Sequence, residues 1–70
     1  MEKINLLACR KNKGLSRQEV AEMLGKSVST ISNWEQGIQA PDKANLMLLS
    51  QIYGIPVDLI RIKTQIKLQE

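Results

Sequence analysis

The sequence predicts an all-α fold, a compact bundle of five short helices. Three observations predict it. Gly14, Gly25, Gly37 and Gly54 each close a segment of helix-forming residues, where a left-handed cap ends a helix at little cost. Capping side chains stand just ahead of such segments, at Ser16, Ser27 and Asp42. No repeat, low-complexity stretch or linker interrupts the 70 residues.

The first helix is expected near 3–13, ending before Gly14. The second, near 17–24, opens on the capping box Ser16-Arg17-Gln18-Glu19, in which Ser16 caps and Glu19 reaches back. Ser27 caps the third, near 28–36, ahead of Val28-Ser29-Thr30-Ile31. Pro41-Asp42 starts the fourth, near 43–53, whose core face is Leu46, Leu49, Ser50 and Tyr53. Pro56 suits the first turn of a fifth helix near 56–63, with Val57 and Ile60 facing the core. Residues 1–63 then form one domain and 64–70 a tail. Ile60, Ile62, Thr64, Ile66 and Leu68 also alternate with period two. The tail is therefore open to a short strand between subunits as well as to a continued helix, which is preferred.

Composition bounds the chemistry. Apolar residues make up 43% and charged residues 24% of the chain, a globular balance. A core this small supplies only about 3–5 kcal/mol, so idealised helix packing or oligomerisation must help. Without a single His, neither a His general base nor a Cys/His zinc cluster can be built. No catalytic constellation, metal site or cofactor site is expected. Cys9, the one cysteine, can form no internal disulfide, which fits a reducing cytoplasm. Trp34 and Tyr53 are the only aromatics, too few for the stacking platforms that bind single strands. Apolar runs such as Leu6 to Cys9 are far too short to span a bilayer, and no membrane contact is expected.

The formal net charge is +3, and it lies in residues 1–26. There Lys3, Arg10, Lys11, Lys13, Arg17 and Lys26 face Glu2, Glu19 and Glu22, while the remainder is neutral. Such an excess fits both an ordinary solvated helix surface and a patch for nucleic acid.

The third helix is the informative one. On a wheel, Thr30, Ile31, Trp34 and Glu35 occupy one side, and Val28, Ser29, Ser32, Asn33 and Gln36 fill an arc of roughly 140° on the other. An ordinary solvent face would carry Lys, Glu or Arg. Short, uncharged, hydrogen-bonding side chains beside one methyl-bearing residue match base edges in a major groove.

At this point the chain resembles a known family. The segment LSRQEVAEMLGKSVSTISNWEQG is similar to the helix-turn-helix of the phage-repressor/Cro (XRE) family. Ala21, Gly25 and Ile31 fall at its small, turn and core positions, and Trp34-Glu35-x-Gly37 matches its ending. The likeness continues through Pro41, Asn45-Leu46, Leu49 and Gly54-Ile55, and backwards to Arg10 and Gly14, covering residues 3–61 without a gap. The resemblance implies a lambda-repressor-like domain in which helices 2 and 3 dock on duplex DNA and helix 3 enters the major groove. It places Val28, Ser29 and Asn33 at base-contacting positions. Arg17, Ser32, Gln36 and Lys43 become its backbone contacts, with Ser32 beside the base readers. It also implies a structural ion pair between Arg10 and Glu35.

The chain departs from the pattern in places. Arg17 stands where the family often has a Gln, and should add a charge-assisted phosphate contact. Lys26 and Lys43 occupy positions that are often apolar; Lys26 reads equally as a backbone contact or as an exposed turn residue. Trp34 and Cys9 read as core, and Val28 is open to a slipped core role. Seventy residues are expected to hold no separate oligomerisation or cleavage domain such as longer members carry.

The family usually has charges where Leu48 and Leu59 sit, and Ile62 would extend the apolar stripe of a fifth helix. Leu48, Leu59 and Ile62 are therefore the expected interface of a homodimer on a palindromic operator. Three functions compete. The first is a sequence-specific DNA-binding regulator, a repressor of phage or mobile-element type. The second is an antitoxin-like module whose apolar surface holds a toxin while helix 3 autoregulates its operon; an antirepressor is a related protein partner. The third is a protein adaptor without DNA affinity. An enzyme is not expected.

Overall fold

The computed structural model describes residues 3–62. In chain order these form β1 (Ile4–Asn5), α1 (Leu6–Lys13), α2 (Arg17–Leu24), α3 (Val28–Gln36), α4 (Lys43–Tyr53), a 3-10 turn (Val57–Leu59) and β2 (Ile60–Arg61). The architecture is mostly helical, with four α-helices among the described residues rather than the five expected. Local chemistry explains the helix starts. Asn5, Ser16, Ser27 and Asp42 each accept a backbone N–H from three residues on, satisfying a donor the helix cannot. At α2 the capping box is complete: Glu19 N–H donates to Ser16 Oγ at 3.0 Å, and Ser16 N–H donates to Glu19 Oε1 at 2.8 Å.

Both ends of the expected helical bundle need correction. The first helix begins at Leu6 rather than near residue 3, because Ile4 and Asn5 pair in parallel with Ile60 and Arg61. The fifth helix, expected near 56–63, is replaced over its described residues by the 3-10 turn and β2. Pro56 makes no side-chain cap hydrogen bond, unlike the four residues that start α1 to α4, so no cap offsets the cost of nucleating a helix there. Ile60 is β-branched and gains a strand partner instead, with 4% of its surface exposed. Of the residues alternating with period two, Ile60 pairs with the chain's own β1, while Thr64, Ile66 and Leu68 lie outside the described residues. Val57, expected in the core, is exposed because the helix that would have turned it inward does not form. Residues 64–70 lie outside the described residues.

The parallel pair joins opposite ends of the described chain, so all four helices act as the crossover between its strands. Leu6, Cys9, Val20, Ala21, Ile31, Trp34, Leu49, Tyr53 and Ile60 form one core drawn from every helix and from β2. Leu15, Leu24, Leu46, Ile52 and Ile62 pack around it. Cys9 is buried, its Sγ 3.8 Å from the Ile4 carbonyl oxygen, and burial raises its thiol pKa. Leu46, Leu49, Ser50 and Tyr53 face inward on α4, while Leu48 points out.

Candidate nucleic-acid interface

The two central helices are joined by three residues, Gly25–Ser27. Gly25 takes φ +69°, and its N–H closes α2 on the Ala21 and Glu22 carbonyls. A Cβ there would meet no atom within 4 Å, so the turn needs glycine for its backbone angle and not for space. Lys26 N–H then bonds the Ala21 carbonyl at 2.9 Å, and Ser27 starts α3 at once. The turn therefore sets α3 at a fixed angle to α2, against which it packs.

Burial fixes the rotation of α3. Ile31 and Trp34 are almost fully covered, at 1% and 5% exposure, and seat the helix on the core. On the side of α3 away from the polar arc, the Glu35 side chain is only 3% exposed and is held by two arginines. Arg10 Nε donates to Glu35 Oε2 at 2.6 Å and Arg10 Nη2 to Oε1 at 3.2 Å, while Nη1 donates to the Leu15 carbonyl at 3.0 Å. Arg17 Nε donates to Glu35 Oε1 at 3.0 Å. The carboxylate thus ties α3 to both α1 and α2, which offsets its unfavourable place near a helix C-terminus. The hydrogen bond to Glu35 raises the Arg10 pKa against the opposing effect of burial, keeping the guanidinium charged. Tyr53, buried nearby, is pushed up to about 12 by burial, with the Glu35 charge adding to the shift, and stays neutral near pH 7.

The opposite face of α3 is what the domain offers outward. Val28 is 44% exposed, which places it on the surface and not in a slipped core position. Ser29 and Gln36 are exposed, while Ser32 and Asn33 are half-buried, so the arc is less open than the wheel suggests. Gln36 Nε2 donates to Ser32 Oγ at 2.8 Å, linking the two across one helical turn. The Asn33 carbonyl accepts N–H groups from Gly37, Ile38 and Gln39, closing the helix at its end. Its side-chain amide makes no hydrogen bond among the described residues, leaving donor and acceptor for a ligand. Lys43 is exposed on the first residue of α4, next to the cap Asp42.

The residues thought to line an interface between subunits are dispersed in character. Leu48 is 43% exposed on α4, but Leu59 is half-buried and Ile62 packs on the domain's own core. Met47 and Val57 are additional exposed apolar residues that the sequence reading did not single out for this surface. It also missed the second partner of Glu35, because the family likeness directed Arg17 to phosphate alone. Its only signal was an Arg in the first turn of α2, the helix packed on α3. Among the described residues, no group of His, Cys, Asp and Glu could hold a metal ion, and no helix is long and apolar enough to cross a membrane.

Comparison with known proteins gives this geometry a family. A helix-turn-helix family model matches residues 6–60. Over 55 residues the chain is 36% identical to the SPbeta prophage-derived uncharacterized HTH-type transcriptional regulator YonR of Bacillus subtilis (strain 168), covering 79% of this chain and 51% of that protein. It is 34% identical over 56 residues to the uncharacterized HTH-type transcriptional regulator YqaE of the same organism, covering 80% and 48%. The chain thus spans about half the length of the curated relatives it matches. No solved structure gives a significant match. The matched family is one of binding domains and not of enzymes. With β1 and β2 flanking its four helices, the chain belongs to the helix-turn-helix family of the phage-repressor/Cro (XRE) type.

Proposed function

We propose that this chain is a sequence-specific duplex-DNA-binding transcriptional regulator, a cytoplasmic repressor of phage or mobile-element type. The observation that carries the reading is the outward face of α3. It bears Val28, Ser29 and Asn33 without a charge among them, on a helix locked in place by Ile31, Trp34 and Glu35. Both relatives being transcriptional regulators, one of them prophage-derived, supports it further. Val28 offers methyl groups to a thymine C5-methyl, Ser29 bonds a base edge, and Asn33 bonds adenine N6 and N7 bidentately. Arg17 and Lys43 supply sequence-blind attraction to phosphates, joined by the Ser32–Gln36 pair at the edge of the groove.

A homodimer fits this reading, because one domain offers few phosphate contacts and a two-fold pair doubles them on a palindromic operator. Leu48, exposed on α4, is the side chain we assign to the contact; Leu59 is half-buried and Ile62 packs on the domain's own core, so they contribute less. The same apolar surface is what a toxin or antirepressor would cover in the antitoxin-like reading.

Selection of duplexes from a random pool with the purified protein tests the function. The expected product is a symmetric site with half-sites about one helical turn apart, roughly 10–10.5 base pairs centre to centre. Under α3 the half-site should favour A·T pairs, because that face has no Arg or Lys, the commonest bidentate readers of guanine. No enrichment above the input pool would count against DNA recognition. A consensus dominated by G·C under α3 would mean that the helix docks differently.

A further inference from the structure

We infer that Glu35 is a positioning residue for DNA, holding Arg17 so that its guanidinium meets a backbone phosphate as an oriented fork; this rests on the DNA-binding reading above. The contrast between the two arginines carries it. All three nitrogens of Arg10 are engaged, two on Glu35 and one on the Leu15 carbonyl, and its side chain is 9% exposed. Arg10 is thereby committed to the interior. Arg17 gives only Nε to Glu35, its side chain is 42% exposed, and its two terminal nitrogens make no hydrogen bond among the described residues.

Charge points the same way. One carboxylate faces two guanidinium groups, so the cluster keeps a net positive charge, and Arg17 is the more exposed of the two. A surface Arg normally loses much rotamer freedom when it clamps a ligand. Here the Nε bond has already fixed the end of the side chain before the ligand arrives. The planar group can then present its terminal N–H donors together to phosphate oxygens, which are matched by that geometry and not by an ammonium. The anchor is also held firmly: on α3, the helix proposed to read bases, the Glu35 side chain is 3% exposed and bonded to Arg10. Phosphate register and base register would therefore be set by one element, so that a correctly gripped backbone brings Asn33 and Ser29 to the right depth.

The test compares Arg17→Lys and Arg17→Ala with the wild-type chain on one fixed duplex, by fluorescence anisotropy over a range of salt concentrations. Far-UV circular dichroism and thermal melts accompany each sample. Arg17→Lys keeps the charge and loses the fork, so the salt slope should stay unchanged while affinity falls about tenfold. Arg17→Ala should lose at least as much affinity and flatten the slope by about 0.9. A purely structural strap between α2 and α3 would lower the melting temperature and leave the slope as it was. That result overturns the inference, as does Arg17→Lys binding within twofold of wild type. If the wild type itself shows no salt-dependent duplex binding, the DNA reading fails and the inference with it. If wild type binds and Arg17→Lys matches it, the DNA reading stands and only the inference falls.

Discussion

Glu35→Ala is expected to cost about 3–5 kcal/mol of folding stability, enough to leave much of the chain unfolded. The size follows from what remains behind. Arg10 would keep its charge in a site where its side chain is 9% exposed, with Nε and Nη2 stripped of their acceptor. An unpaired buried cation is among the costliest defects a small protein can carry. A core of this size supplies only about 3–5 kcal/mol in total, so the loss is comparable with the whole margin. Arg17 adds less, because its side chain is 42% exposed and its pairing is partly screened. Replacing both buried partners, Arg10→Met with Glu35→Leu, should recover much of the loss, since no charge is left without a partner. Urea denaturation followed by circular dichroism measures all three proteins. A cost below about 1 kcal/mol for Glu35→Ala would show that the pair is no more than a surface contact.

The second large effect is expected on assembly. Leu48→Glu should leave the fold intact, because Leu48 is 43% exposed and no member of the core. In a two-fold dimer it would bring like charges together near the axis and remove apolar contact. The mass should fall from two chains to one, and affinity for a symmetric site should drop towards that for a half-site. Sedimentation equilibrium and duplex titration on the same preparation measure the two quantities. A wild-type chain that is monomeric both free and on DNA would contradict the homodimer. An unchanged two-chain mass in the variant would place the interface elsewhere.

Much of this fold was legible because its determinants are local. Ser16, Ser27 and Asp42 cap helices with their own side chains, and Gly25, Gly37 and Gly54 end them, so the starts and stops of α2, α3 and α4 could be read within a few residues of each position. The Ile4–Ile60 pairing is different in kind. Neither residue signals the other, and Pro56 at a helix start reads the same whether or not a helix follows. The error at Val57 was inherited from that helix. At the site, the pattern on α3 distinguished the buried Ile31 and Trp34 from exposed Val28 and Ser29, because helical period is a property of sequence. The double grip on Glu35 was not legible. It depends on where α1 and α2 bring two long side chains, and Arg17 has the same chemistry whether it faces a phosphate or a carboxylate. The Ser32–Gln36 bond lay within reach, since those residues are four apart on one helix.

The central claim is that α3 reads bases, and Asn33→Ala tests it most directly. The variant and the wild type would be titrated against the selected duplex and against each of its single-base-pair variants. Asn33 should bond an adenine bidentately, so Asn33→Ala is expected to cost about 1–3 kcal/mol on the best site. Discrimination at one position per half-site should vanish while preferences elsewhere persist. The opposite result is equally clear. If Asn33→Ala weakens every duplex by the same factor and leaves all base preferences intact, Asn33 touches no base and α3 is not the reading helix.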